Sequence, residues 1–190
     1  MKRPPGIKPA KGKILISEPF LPDLNFSRSI ILLAEHSETA TLGFVLNQST
    51  DLFLHDLFEE IDVQEVRIFK GGPVQLDSLH FIHCDETLRD EAQEIMPGLY
   101  WGGDFELLKV RMTTGVFKPE LYKFFMGYSG WSPGQLEHEM KEDSWLVSGI
   151  TVPDALSQTN TGNDLWKKAM TALGGEYAML ANSPLNPLWN

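Results

Sequence analysis

No unbroken apolar run in the chain exceeds five residues, and Ile30-Ile31-Leu32-Leu33-Ala34, one of that length, is far shorter than the ~20 residues that a membrane-spanning helix needs. The run is rich in Ile and Leu and carries no polar alternation, which predicts a strand from Ser29 to Ala34 covered on both faces. Such a strand demands a layer of structure on either side. A chain of 190 residues, 42% of them hydrophobic, has the material for that: at roughly 150 residues per domain it makes one compact unit. Charged residues at 22% place it among globular chains and exclude a wholly disordered, collagen-like or coiled-coil protein.

Further strands are expected at Lys13–Ile16, Thr41–Leu46, Val66–Phe69, Leu79–His83, Tyr122–Met126 and Trp145–Val147, with a bent strand or hairpin between Ile95 and Trp101. Leu54, Leu57, Phe58 and Ile61 fall at helical spacing and predict an amphipathic helix. A second helix is expected to start at Ser132, with Ser132 and Gln135 as a capping box and Pro133 at the first helical position. It would turn Leu136 and Met140 inward and pair Glu137 with Lys141 outside. A third, from about Asp164 to Leu173, would bury Trp166, Met170 and Leu173 and end at Gly174-Gly175. Strands outnumber helices and do not alternate with them, so the expected class is α+β.

Sixteen basic and twenty-six acidic residues leave a net charge of −10, which disfavours nucleic acid as a partner. The one basic stretch, Lys2, Arg3, Lys8, Lys11 and Lys13, is punctuated by Pro4, Pro5 and Pro9 and reads as a solvated extension. No apolar stretch follows Met1-Lys2-Arg3, so no secretory leader is expected. Cys84 is the only cysteine, which rules out an internal disulfide and suits a reducing cytoplasm.

Gly130-Trp131-Ser132-Pro133-Gly134 matches the G-x-S-x-G nucleophile elbow in spacing, but the residue after the serine must donate an N–H to the oxyanion and Pro133 has none. After Ser132 the sole histidine is His138, six residues on. As an anion cradle the same segment is weakened by Pro133 and by the carboxylates of Glu137 and Glu139. His80 and His83 lie three apart in a strand and should face opposite ways, and no H-E-x-x-H or paired Cys/His spacing is present, so no metal is expected. Cys84 beside Asp85 and Glu86 has no nearby cation to make it a thiolate. What remains is a polar set around the apolar strand: Asp23, Arg28 and His36, with Asn47 closing the next strand. These residues form either a structural Asp–Arg pair tying turn to sheet, or a cleft for which Tyr128 and Trp131 supply apolar walls.

The blocks Asp23-Leu24-Asn25-Phe26-Ser27-Arg28-Ser29-Ile30, Gly43-Phe44-Val45-Leu46-Asn47, Gly71-Gly72-Pro73-Val74 and Gly127-Tyr128-Ser129-Gly130-Trp131-Ser132-Pro133-Gly134-Gln135-Leu136-Glu137-His138-Glu139, with His36, resemble the YqgE/AlgH family of bacterial proteins from about Gly12 to Leu173. The resemblance implies a single α+β domain, its mixed β-sheet partly closed into a small barrel and flanked by helices. It implies a cytoplasmic protein to which no reaction is attached. The "transcriptional regulator" label that some members carry fits neither the charge nor the absence of a readable helix-turn-helix. The expected organisation is a flexible basic extension over 1–12, the domain over 13–180 and an extended tail over 181–190. The favoured expectation is a non-enzymatic binding or regulatory protein with a protein or small-molecule partner, not nucleic acid or membrane. Its candidate binding residues are Asp23, Arg28, His36, Asn47, Tyr128, Trp131, Gln135 and Glu137. No catalytic residue, cofactor or metal ligand is assigned. The rival expectation is an enzyme of hydrolytic or isomerising type using a carboxylate or histidine such as Glu137 or His36.

Overall fold

In the computed structural model, which describes residues 7–184 except 59, 62, 64, 65 and 160, the apolar run becomes the middle of a curled sheet. The strands, in chain order, are β1 (Ile14–Ser17), β2 (Ile30–His36), β3 (Thr41–Val45), β4 (Ser49–Phe53), β5 (Arg67–Lys70), β6 (Val74–His83), β7 (Ala92–Met96), β8 (Leu99–Gly102), β9 (Tyr122–Trp131) and β10 (Trp145–Ser148). The helices are α1 (Leu54–Leu57), α2 (Phe105–Thr114), α3 (Gln135–Lys141), α4 (Val152–Leu156), α5 (Asn163–Leu173) and α6 (Gly175–Leu180). The sheet order is β10-β1-β2-β3-β9-β6-β8-β7, with β5 joining β4 to β9, and every pairing is antiparallel except β5 with β9. The result is a mixed α+β domain, a half-barrel flanked by helices.

Ile30, Leu32 and Ala34 of β2 enter one apolar cluster with Leu165, Trp166 and Met170 of α5. Ile31 and Leu33 enter another with Trp131, Leu136 and Trp145. The strand is therefore buried on both faces, each Ile or Leu contributing about 1.5–3 kcal/mol of transfer free energy. A third cluster, built on Ile68, Phe81, Tyr122 and Phe124, is covered by Leu108 and Met112 of α2.

β9 is the spine. One edge pairs with β6, from Tyr122 to Met126 and again, after a register shift, at Tyr128; the other pairs first with β5 (Ile68↔Phe124 to Lys70↔Met126) and then with β3 (Gly43↔Ser129 to Thr41↔Trp131). At the hand-over Gly71 donates its N–H to the Met126 carbonyl, and its own carbonyl accepts the Val45 N–H and the Ser129 hydroxyl. The backbones come so close there that a Cβ on Gly71 would sit 2.2 Å from the Gly127 oxygen. Glycine is required by space, and the Gly71-Gly72 and Gly127 motifs are architecture.

Several expectations change. The helix over 54–61 shrinks to α1 because Phe58 turns extended, although Leu54 and Ile61 are still buried. The strand expected over Tyr122–Met126 runs on through the glycine-rich stretch to Trp131. Ser132 does not cap α3. Pro133 and Gly134, the latter at φ 77° and ψ −8°, fit the corners of a type II turn closed by the Gln135 N–H on the Ser132 carbonyl, so Gly134 becomes the N-cap. Half of the capping box survives, since the Gln135 side chain accepts the Ser132 N–H at 3.0 Å. On α3 the His138 ring meets the Glu142 carboxylate at 3.4 Å, an ion pair only when the imidazole is protonated, and among the described residues Glu137 and Lys141 form none. Past Gly174 the chain re-enters a helix, α6. Residues 1–6 and 185–190 lie outside the described residues. Gly12, placed in the basic extension, donates its N–H to the Leu33 carbonyl and anchors on the sheet. Among the described residues no helix is long and apolar enough to cross a membrane.

Candidate functional site

The candidate residues divide among separate places. Asn47, at the end of β3, accepts the Ile30 N–H at 2.9 Å and donates from its amide to the carbonyls of Arg28 (2.8 Å) and Gly162 (2.6 Å). It thereby ties the 18–28 loop, the start of β2 and the entrance to α5 to one point. Arg28 stands beside it at left-handed φ 48°, an uncommon conformation for any residue with a side chain. The residue is 5% exposed, and its guanidinium lies over the Trp166 ring at 4.8 Å and donates from Nη2 to the Ser183 carbonyl at 2.6 Å. Burial pulls its pKa down. The expected Asp–Arg pair does not form: the Asp23 carboxylate instead accepts the Asn25 N–H in a local turn, and among the described residues no carboxylate meets the guanidinium. Ser27, Arg28, Asn47, Gln48, Gly162 and Asn163 line a cleft of about 240 Å³.

His36 takes no part in that cleft. It lies at the opposite end of β2, six residues and about 20 Å along a strand at ~3.3 Å per residue, hydrogen-bonded to the Thr41 hydroxyl at 2.8 Å. Tyr128 and Trp131 do not wall one cleft either. Three residues apart in β9 they point to opposite faces, Tyr128 edge-on to His80 and Trp131 into the cluster behind β2.

Trp131 instead belongs to a second assembly. Its indole and that of Trp145 both donate to the Glu139 carboxylate, at 2.8 and 2.7 Å, and the Gln135 amide donates to the other carboxylate oxygen at 2.9 Å. Phe26, from the 18–28 loop, stacks on Trp131 and meets Trp145 edge-on. Glu137 is exposed on α3. Both indoles are buried, so Glu139→Ala strands two donors and should cost about 2–4 kcal/mol. Urea unfolding followed by tryptophan fluorescence checks this, and Glu139→Gln, which keeps an acceptor oxygen, should recover most of the loss.

Two further polar sites gave no signal in the sequence. Asp85 receives the Thr87 N–H and hydroxyl (2.9 and 2.5 Å), the Tyr122 hydroxyl (2.6 Å) and Arg111 Nη1 (2.6 Å). Burial by itself would raise the carboxyl, but these donors and the Arg111 charge outweigh it and hold it at about 2. Four donors saturate the group, so it ties the turn after β6 to α2 and β9 without a vacant lone pair for chemistry. Burial and Asp85 push the Tyr122 phenol up, and burial followed by Asp85 pushes the Cys84 thiol up, against a thiolate role. Lys123 is fully buried in β9; its ammonium donates to the Ser157 carbonyl and lies 3.8 Å from the Phe69 ring centroid. Burial lowers its pKa to about 7.

Hydroxyl–histidine contacts occur at Thr41–His36 and Ser78–His80. Ser78 donates its proton to the Gln75 carbonyl at 2.7 Å, so the His80 ring must donate to Ser78, the wrong polarity for a base. His80 and His83 point to opposite faces as expected, and burial lowers both. Among the described residues no three His, Cys, Asp or Glu side chains gather at metal-binding distance.

A family model described as AlgH-like matches residues 14–178. A "UPF0301 protein" of Cytophaga hutchinsonii is 41% identical over 181 residues, covering 95% of this chain and 98% of that protein. Another, of Parabacteroides distasonis, is 42% identical over 186 residues, covering 97% and 93%. Among solved structures, the AlgH protein of Pseudomonas aeruginosa superposes with a TM-score of 0.70 at 27% identity, covering 94% of this chain and 98% of that one. A Corynebacterium diphtheriae protein superposes at 0.77 and 24% identity, covering 96% and 95%, and shares the fold.

Proposed function

The chain belongs to the AlgH-like family, and from that premise we propose that it is a non-enzymatic binding or regulatory protein of the cytoplasm, docking a protein partner on the 18–28 loop and the adjoining 129–137 segment. The observation that carries this reading is the construction of the loop. Phe26 roots it on the Trp131–Trp145–Glu139 assembly, Gln48 and Lys70 hold Asn25 from below, and Leu24 stands 91% exposed at its tip with Phe20 half-exposed behind it. A leucine kept in water on a rigid mount is an anchor awaiting an apolar pocket. The polar candidates around it are engaged in holding the loop. A single cysteine and the absence of any possible disulfide within the chain suit the cytoplasm.

Leu24→Asp tests the proposal. The side chain is solvent-exposed, so the variant should fold with stability within about 0.5 kcal/mol of wild type. Partners captured by in-cell crosslinking and identified by mass spectrometry should include at least one that falls about tenfold with the variant, the loss of one buried anchor. An unchanged set of partners at unchanged yield overturns the reading.

A further inference from the structure

Arg28 is a buried cation that the described chain leaves unneutralised. Its guanidinium meets the Ser183 carbonyl at 2.6 Å, the Ser183 hydroxyl at a distant 3.5 Å and the face of Trp166. Neutral partners of this kind repay only part of the cost of taking a charge from water. Its Nε, buried, has no hydrogen-bond partner. Nε–H and the facing Nη2–H point in parallel along one edge of the guanidinium, the edge that forks onto two oxygens of a carboxylate or phosphate. Nη2 already donates to the Ser183 carbonyl, and the Nε–H of that edge is unused.

We propose that the cleft between the 18–28 loop and the start of α5 binds a small oxyanion, a phosphate or carboxylate group, which takes the Nε/Nη2 edge of Arg28 in place of the Ser183 carbonyl. Three observations support the site besides the idle donor. The cleft, about 240 Å³, is of a size for a small group. Its far wall is the N-terminus of α5, whose N-cap, Gly162, supplies no side chain to the first-turn N–H groups and is held by Asn47 through both its N–H and its carbonyl. Asn163, also in the wall, carries a buried, unpartnered side-chain oxygen, and a half-turn of that amide presents its NH₂ to an anion. Two acids oppose the site, Asp164 in the first turn of α5 and Asp23 on the loop, both exposed; Lys70, tied to Asn25, stands on the attractive side. Because Ser183 must yield its place, anion binding releases residues 181–184 from Arg28 and makes the carboxyl-terminal segment the responding element. The inference stands apart from the protein-docking reading, since it needs neither Leu24 nor Trp131.

The full-length protein, labelled with nitrogen-15 and titrated with inorganic phosphate, succinate or sodium chloride at matched ionic strength, provides the test. Either oxyanion should shift the Arg28 Nε–Hε resonance and the Ser183 amide along one saturable curve in the low-millimolar range, about 4 kcal/mol of binding. Phosphate and succinate affinities tell which head group is preferred. Asn163→Asp adds a negative charge to the cleft wall while favouring the α5 N-terminus, so it should fold normally and bind about tenfold more weakly. Failure of both oxyanions to shift these resonances, equal shifts with chloride, or unchanged binding in Asn163→Asp each overturns the proposal.

Discussion

Gly71→Ala is expected to destabilise the protein by about 3 kcal/mol or more, the upper end of the cost of overpacking, and to leave little folded material at 37 °C. The new methyl carbon would stand 2.2 Å from the Gly127 carbonyl oxygen and 3.0 Å from the Phe125 Cβ. Both belong to the β9 backbone or its first side-chain atom, so no rotamer change relieves the clash. The backbone can yield only by releasing the Gly71–Met126 and Val45–Gly71 hydrogen bonds, which join the end of β5 to β9 and to β3. Gly149→Ala is the matched control: nothing lies within 4 Å of its added carbon and its φ is not positive, so its stability should stay within about 0.5 kcal/mol of wild type. Urea denaturation of the two variants side by side checks the contrast. Equal stability would show that the hand-over from β5 to β3 tolerates separation.

Lys123→Met should act in the opposite direction, stabilising the fold by about 3–4 kcal/mol at pH 6. The ammonium titrates near 10.5 in the unfolded chain and at about 7 when buried. Between those values the unfolded state binds the extra proton, so the contribution of Lys123 to stability rises with pH from about 7 to 10.5 and is flat below. The full span is 3.5 pH units, about 5 kcal/mol at 1.36 kcal/mol per unit. Methionine removes that cost but leaves the Ser157 carbonyl without the lysine, a loss of about 1–2 kcal/mol. The gap between variant and wild type should therefore be widest at or below pH 7 and close towards pH 10. Chemical denaturation at four pH values measures it. A variant less stable than wild type at pH 6, or a gap independent of pH, would mean that the lysine is not held neutral by burial.

Most of the sheet was legible because its strands announce themselves locally. Ile30–Ala34 is an apolar run and Val66–Phe69 is apolar but for Arg67, and each forms a strand within a residue or two of its expected bounds. β4, Ser49–Phe53, was not legible: its sequence is polar and it pairs with β5 only at Ser49↔Phe69 and Phe53↔Arg67. α2 was missed although Asp104 caps it and Gly115 closes it in the left-handed conformation, since its apolar residues circle the helix and only Leu108 and Met112 are buried. The site was legible in part. Arg28 and Asn47, polar residues flanking β2 and closing β3 in the sequence, do meet, because the turn before β2 and the end of β3 are neighbours in an antiparallel pair. His36 was drawn in by proximity in sequence and lost by the length of the strand. No local pattern marks Gly162 or Ser183 as companions of Arg28, 134 and 155 residues away, for only the packing of α5 and the segment after α6 brings them there. Lys123 reads in sequence as an ordinary outward residue of a strand; its burial follows from β6 and β5 flanking β9 and from the 157–159 segment closing over it.

The shared strand β9 also sets a schedule for the ribosome. Strands β3, β5 and β6 emerge well before Tyr122, and fifty-six residues separate Lys70 from its neighbour Met126. At 5–20 residues per second the nascent chain carries those unsatisfied edges for roughly 3–11 s. The outer edge of β1 waits longer still, until Ser148 has cleared the exit tunnel. During translation these edges stand open to mispairing, and slowing elongation before codon 122 should raise the tendency of the chain to aggregate.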